Sequence, residues 1–143
     1  MNKIRLFHVH DYYPDYLNQL YSLHPQLSAY SYSKQYQIIM DNCFGWADFW
    51  KLNLEKRGDF EVMEVICNAE ILQKTWAKEN NITYSEQNWM LDILYAQVIF
   101  FEPSVFFSHD YAGITALFRK KIKQALSGLK LILAWDGLKH HDS

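Results

Sequence analysis

Four short runs rich in β-branched, aliphatic and aromatic residues punctuate the chain, at positions 4–9, 61–67, 104–108 and 129–135, and each reads as a strand. The first ends in His10-Asp11-Tyr12-Tyr13-Pro14, where the proline cannot continue a ladder. Residues 15–41 carry a mixed pattern that predicts two short helices around the His24-Pro25 turn. Trp46, Phe49, Trp50 and Leu54 then recur at helical spacing, with Gly58 where a left-handed C-cap is expected. Asn68 is placed to cap a helix reaching Glu79. Ser85 is placed to cap another, in which Trp89, Ile93, Ala96 and Phe100 share a face before Pro103. A last helix over 116–126 turns Phe118, Ile122 and Ala125 inward and stops at Gly128.

Strands that alternate with helices in this order predict a parallel sheet covered on both faces. Right-handed crossovers place the second strand beside the first and the third and fourth on its other side, giving the order 2-1-3-4. The expected fold is therefore a three-layer αβα, Rossmann-like domain, with a mainly parallel sheet of about four strands spanning residues 1–143 as one unit. The fourth run is strongly apolar, yet residues 136–143 are too few for another crossover helix. A weakly covered edge follows, and with it an expectation of self-association through the last strand.

Composition narrows the function classes. Half of the residues are hydrophobic and 17% aromatic, enough to build one core without disulfide staples. Fourteen basic residues against sixteen acidic ones leave a formal charge of -2, so no nucleic-acid footprint is expected. The apolar stretch 93–101 contains Gln97 and is shorter than the ~20 residues of a membrane span. Without a leader-like start, and with only Cys43 and Cys67, a reduced, cytoplasmic location is the expectation. The five glycines are isolated, so neither a dinucleotide fingerprint nor a phosphate-cradling loop is present, and no cofactor is expected. Arg119, Lys120, Lys121 and Lys123 read as the solvated face of their helix.

Chemistry gathers where the strands end. His8, His10 and Asp11 close the first strand, His109 and Asp110 the third, and Asp136 follows the fourth. Ligands of open α/β sheets bind at the carboxyl ends of strands, near the point where strand order reverses, here between the first and third. His8, Tyr12, Tyr13, His109, Asp110 and Asp136 are accordingly candidate ligand-binding residues, and His10 and Asp11 candidate proton-transfer residues. The His8-x-His10 spacing is also that of a first-strand metal motif in metal-dependent hydrolases, which need further ligands on later strands, and no metal is assigned on it. A structural role for His8 as a hydrogen-bonded inward histidine competes with both. The tyrosines at 12, 13, 16, 21, 30, 32 and 36 could present flat faces to sugar rings or simply pack short helices on the sheet.

Several segments carry a resemblance. Ile4-Arg-Leu-Phe, Tyr12-Tyr-Pro-Asp-Tyr16, Phe44-Gly-Trp-Ala-Asp-Phe-Trp50, the stretch from Asn68 to Glu79, and Gln97 through Pro103-Ser-Val-Phe-Phe107 resemble the N-terminal half of CgeB-like, group 1 glycosyltransferases of the GT-B fold. Ser104 stands where that family usually has Asp, and His10, Asp136 and His140-His141 are not family features. The resemblance implies an acceptor-side domain that binds a glycosyl acceptor and is incomplete without a donor-binding C-terminal domain or subunit. Asp11 or His10 would serve as the acceptor-side base. The alternative is a non-catalytic interaction or small-ligand-binding α/β domain, with a metal-dependent hydrolase as the third reading.

Overall fold

Strand β1 (Ile4–His10) pairs in parallel with β2 (Phe60–Ile66) on one side and β3 (Val105–His109) on the other, and β4 (Leu131–Trp135) extends the sheet beyond β3. The order β2-β1-β3-β4 is the one expected from right-handed crossovers. The computed structural model describes residues 2–109 and 113–135. Helices α1 (Pro14–Leu23), α2 (Tyr32–Asp41) and α3 (Phe49–Glu55) lie between β1 and β2, with a 3-10 turn at Pro25–Ala29. α4 (Glu70–Glu79) and α5 (Trp89–Phe101) connect β2 to β3, and α6 (Ala116–Ala125) connects β3 to β4. The result is a three-layer α/β fold with a generic Rossmann-like arrangement. None of the described helices is long and apolar enough to cross a membrane.

The two-residue period of the strands divides the sheet chemically. On one face Phe7, Val9, Val65, Cys67 and Phe106 meet Leu94 and Val98 of α5 and Phe118 and Ile122 of α6 in a continuous apolar core. Phe7 and Phe106 stack at 5.7 Å across β1 and β3, and each fully buried side chain of this size contributes about 1.5–3 kcal/mol. The opposite face carries Leu6, His8 and His10 of β1 beside Val62, Glu64 and Ile66 of β2. Leu17 and Leu20 of α1, Ile39 and Met40 of α2 and Leu72 of α4 form a second core with Ile66. Most of the tyrosine-rich segment is absorbed there: Tyr12 is buried, and Tyr16, Tyr21, Tyr30, Tyr32 and Tyr36 pack against its rim.

Six local expectations are corrected. α5 buries Ile93, Leu94, Gln97, Val98 and Phe101, while Phe100, expected on the inward face, is 66% exposed, because the helix is apolar on nearly every side. Trp46 lies in the turn ahead of α3, which starts only at Phe49. α3 ends at Glu55 with Lys56 as its C-cap, so Gly58, at φ +86°, shapes the turn into β2 instead of capping the helix. Asn68 does not cap α4; its side chain accepts from the Tyr12 N–H at 2.9 Å and donates to the Tyr12 carbonyl at 2.6 Å. Ser85 lies ahead of α5, its hydroxyl accepting from the Asn88 N–H at 3.1 Å while its own N–H donates to Asp92, so the helix starts four residues later. Ala125 is exposed because α6 is ending there and only Phe118 and Ile122 reach the sheet. Thr115 caps that helix by accepting from the Phe118 N–H, and Glu102, at φ +48°, closes α5 ahead of Pro103. The weak cover of β4 is as expected, with Leu131, Leu133 and Trp135 between 41% and 51% exposed.

Candidate functional site

Alternation along β1 sends His8 and His10 to the same face of the sheet, and the parallel register sets Glu64 of β2 and Phe107 of β3 on either side of His8. His8 Nδ1 lies 2.6 Å from Glu64 Oε1, with both side chains fully buried. The other carboxyl oxygen accepts the Lys51 backbone N–H at 3.0 Å, because α3 packs directly over β2. The Lys51 ammonium itself turns away to Glu55 and the Val62 carbonyl. Burial, opposed by the Lys51 N–H and reinforced by Asp48 and Glu55, pushes the Glu64 carboxyl up to about 8. Burial of that kind favours the protonated carboxyl, and a single hydrogen bond, whose donor is set by the ring tautomer, joins it to His8.

His10 is the next side chain along the same row, its ring stacked on His8 at 5.3 Å and tilted against Tyr12 at 5.3 Å. It is 1% exposed, and neither ring nitrogen has a hydrogen-bond partner among the described residues. Burial, then the neighbouring His8 and His109 rings, lowers its pKa to about 3 against a smaller opposing pull from the Asp11 backbone, so the imidazole is neutral at any ordinary pH. Aromatic rings wall the row. Trp50 of α3 and Phe107 of β3 pack on His8 at 5.9 and 4.8 Å, while Trp46 and Trp135 flank His109 at 4.8 and 4.5 Å.

At the carboxyl end of β1 this row opens into a pocket of about 510 Å³ lined by His10, Asp11, Tyr12, Tyr13, Pro14, Phe44, Gly45 and Trp46. That volume is in the range of small-molecule sites, and the position beside β1 and β3 is where strand order reverses. Two devices hold its walls. Asn68 clamps both backbone groups of Tyr12, fixing the loop after β1. Opposite it, Cys43, Gly45 and Ala47 all adopt positive φ, which turns Phe44 inward to stack on Tyr16 at 3.8 Å and presents Trp46 beyond it. For the two non-glycine residues that conformation costs about 1–3 kcal/mol each, and such strain gathers where a loop shapes a site. A groove of about 610 Å³ between α1 and the start of α4 adjoins the pocket at Pro14.

The residues singled out from sequence are therefore partly united. His8, His10 and His109 sit on one sheet face, and Asp11, Tyr12 and Tyr13 line the pocket above it. Tyr13 is exposed and available to a ligand, whereas Tyr12 is core with only its edge on the pocket. Asp110 and Asp136 lie outside the described residues. Glu64, Phe44, Trp46 and Trp50 went unassigned to the site. The signal for Glu64 was present as an acid on the inward phase of Val62-x-Glu64-x-Ile66, and Trp46 and Trp50 looked like helix core.

Comparison with known proteins adds nothing to this geometry. No family model, curated protein or solved structure matches the chain. Its chemistry has to be argued from the site, since a Rossmann-like arrangement hosts many unrelated functions.

Proposed function

We propose that the chain is a small-ligand-binding α/β domain whose ligand is a hydroxylated ring, the acceptor in a glycosyl transfer. One observation carries the reading: the exposed rings of Tyr13 and Trp46 and the partly exposed Asp11 line a single pocket at the β1 strand end. A pyranose has the matching chemistry, with an apolar C–H face that packs on an aromatic ring and an equatorial rim of hydroxyls for polar groups. Asp11 is the better base of the two sequence candidates. Asp11 is partly exposed on the pocket, whereas both ring nitrogens of His10 are buried out of reach of an acceptor hydroxyl. In this reading Asp11 takes the proton of the attacking acceptor hydroxyl, whose oxygen bonds to the anomeric carbon as the donor's phosphate leaves. The donor is held by a second domain or subunit.

The test is ligand-observed NMR of the chain with methyl pyranosides, alongside Trp46→Ala and Asp11→Asn. Saturable binding of a pyranoside that weakens about fivefold or more without Trp46 is the expected result. Absence of pyranoside binding, or binding indifferent to both substitutions, refutes the proposal. Binding that needs Trp46 but not Asp11 would leave a carbohydrate-binding module without the transfer chemistry.

A further inference from the structure

We propose that His8, His10 and Glu64 form a binding site for one divalent first-row transition metal, of the zinc class, beneath the floor of the β1 pocket. Each of the three offers a ligand atom, and these atoms all lie within 4.8 Å of one another. A metal with bonds of about 2.0–2.2 Å holds its ligand atoms at up to roughly twice that distance from each other, so small side-chain rotations close the set. Two imidazoles with one carboxylate are a donor set suited to zinc, iron or cobalt in the divalent state, and poorly suited to calcium or magnesium, which demand oxygen.

Three further observations favour an ion over a plain buried hydrogen bond. His10 is 1% exposed and lies beside the His8–Glu64 pair, and neither ring nitrogen meets a partner in good hydrogen-bond geometry among the described residues, the Asp11 backbone being the one polar group near it. A buried imidazole without partners is costly, and a bound ion is one of the few things that satisfies it. The ligands already have the supporting bond that a metal site needs, since the Lys51 N–H fixes Glu64 through Oε2 and leaves Oε1 toward His8. Only the His10 ring separates the three ligands from the pocket above, so an ion has one side chain to pass on entry. Trp50 and Phe107 supply an apolar surround around His8. Three protein ligands leave at least one coordination position for a water or for an oxygen of the pocket's occupant.

The experiment uses the full chain, stripped with chelator and titrated with Zn²⁺ by calorimetry and with Co²⁺ by visible absorption, in the absence of any sugar. One equivalent is expected to bind in the micromolar range or tighter, with ligand-field bands from bound Co²⁺. Glu64→Gln and His10→Asn should each weaken binding by about 10- to 100-fold while far-UV circular dichroism stays native. A His140→Ala/His141→Ala double variant should bind as the parent does. The proposal falls if no saturable binding is seen, if binding follows His140 and His141 instead, or if folded Glu64→Gln binds as tightly as the parent. Because no carbohydrate is present, a chain that binds metal and ignores pyranosides overturns the acceptor reading alone.

Discussion

Gln73 of α4 and Gln97 of α5 are fully buried and exchange two hydrogen bonds, Gln73 Nε2 to Gln97 Oε1 at 2.8 Å and Gln97 Nε2 to Gln73 Oε1 at 3.0 Å. Gln97→Leu removes one partner at nearly constant volume, so the main effect is to strand an amide in the seam between the helices. Each intact bond contributes a net ~0.5–1.5 kcal/mol, whereas each donor or acceptor left unpaired costs about 1–3 kcal/mol. The stranded Gln73 presents one of each, and the new leucine returns part of the loss through apolar contact beside Trp76 and Ile93. A destabilisation of about 2–4 kcal/mol is expected, or on the order of 5–15 °C in Tm for a domain of this size. Gln73→Leu should cost about the same. The Gln73→Leu/Gln97→Leu double variant should be far less damaged than the sum, because neither amide is left behind. Urea unfolding of the four proteins, followed by circular dichroism, measures the cycle. Additive losses, or a single-variant loss below about 1 kcal/mol, would show that the amide pair does not operate as a unit.

Two further outcomes follow from the site and the sheet edge. The His10 pKa is depressed from 6.5 to about 3 on folding. The unfolded chain therefore binds the extra proton between those values, and stability present above pH 6.5 drains away as pH falls. Metal-free parent protein should lose up to about 1.4 kcal/mol per pH unit more than His10→Phe between roughly pH 6 and 3.5. Parallel stability–pH curves would contradict the burial of a neutral imidazole. At the other end of the sheet, β4 is the last strand among the described residues and exposes Leu131, Leu133 and Trp135. Self-association through that strand is the expectation, seen as scattering mass that rises with concentration and is suppressed by Leu133→Lys, and a parent monomer at all concentrations would refute it.

The order of elements and the strand order were legible because they depend on local pattern and on one rule of handedness. Each strand core shows as a run of Val, Ile, Leu and Phe, and α6 shows its apolar period, whereas α5 is apolar on nearly every side and its buried face could not be read from its period. Polar residues at element boundaries were read less well, because a side-chain oxygen caps whichever N–H the chain brings to it. Asn68 had a helix start within reach and instead bonds to Tyr12, 56 positions earlier, and Ser85 bonds within the turn that precedes α5.

The site divides along the same line. His8 and His10 announced themselves by alternation within one strand, and Asp11 to Tyr13 by following its end. Glu64 could join them only through the β1–β2 register, which sets Glu64 against His8 and depends on a parallel pairing that no local pattern encodes. That register decides the chemistry. Moving β2 by one residue would exchange Glu64 for Met63 or Val65 beside His8 and leave a buried imidazole facing apolar side chains. A carboxylate would never be buried among Val62 and Ile66 on packing grounds alone, since the same position filled by an aliphatic residue makes a better core. Its presence there, hydrogen-bonded on both oxygens and next to a second buried histidine, is what favours the ligand-holding role proposed for this row.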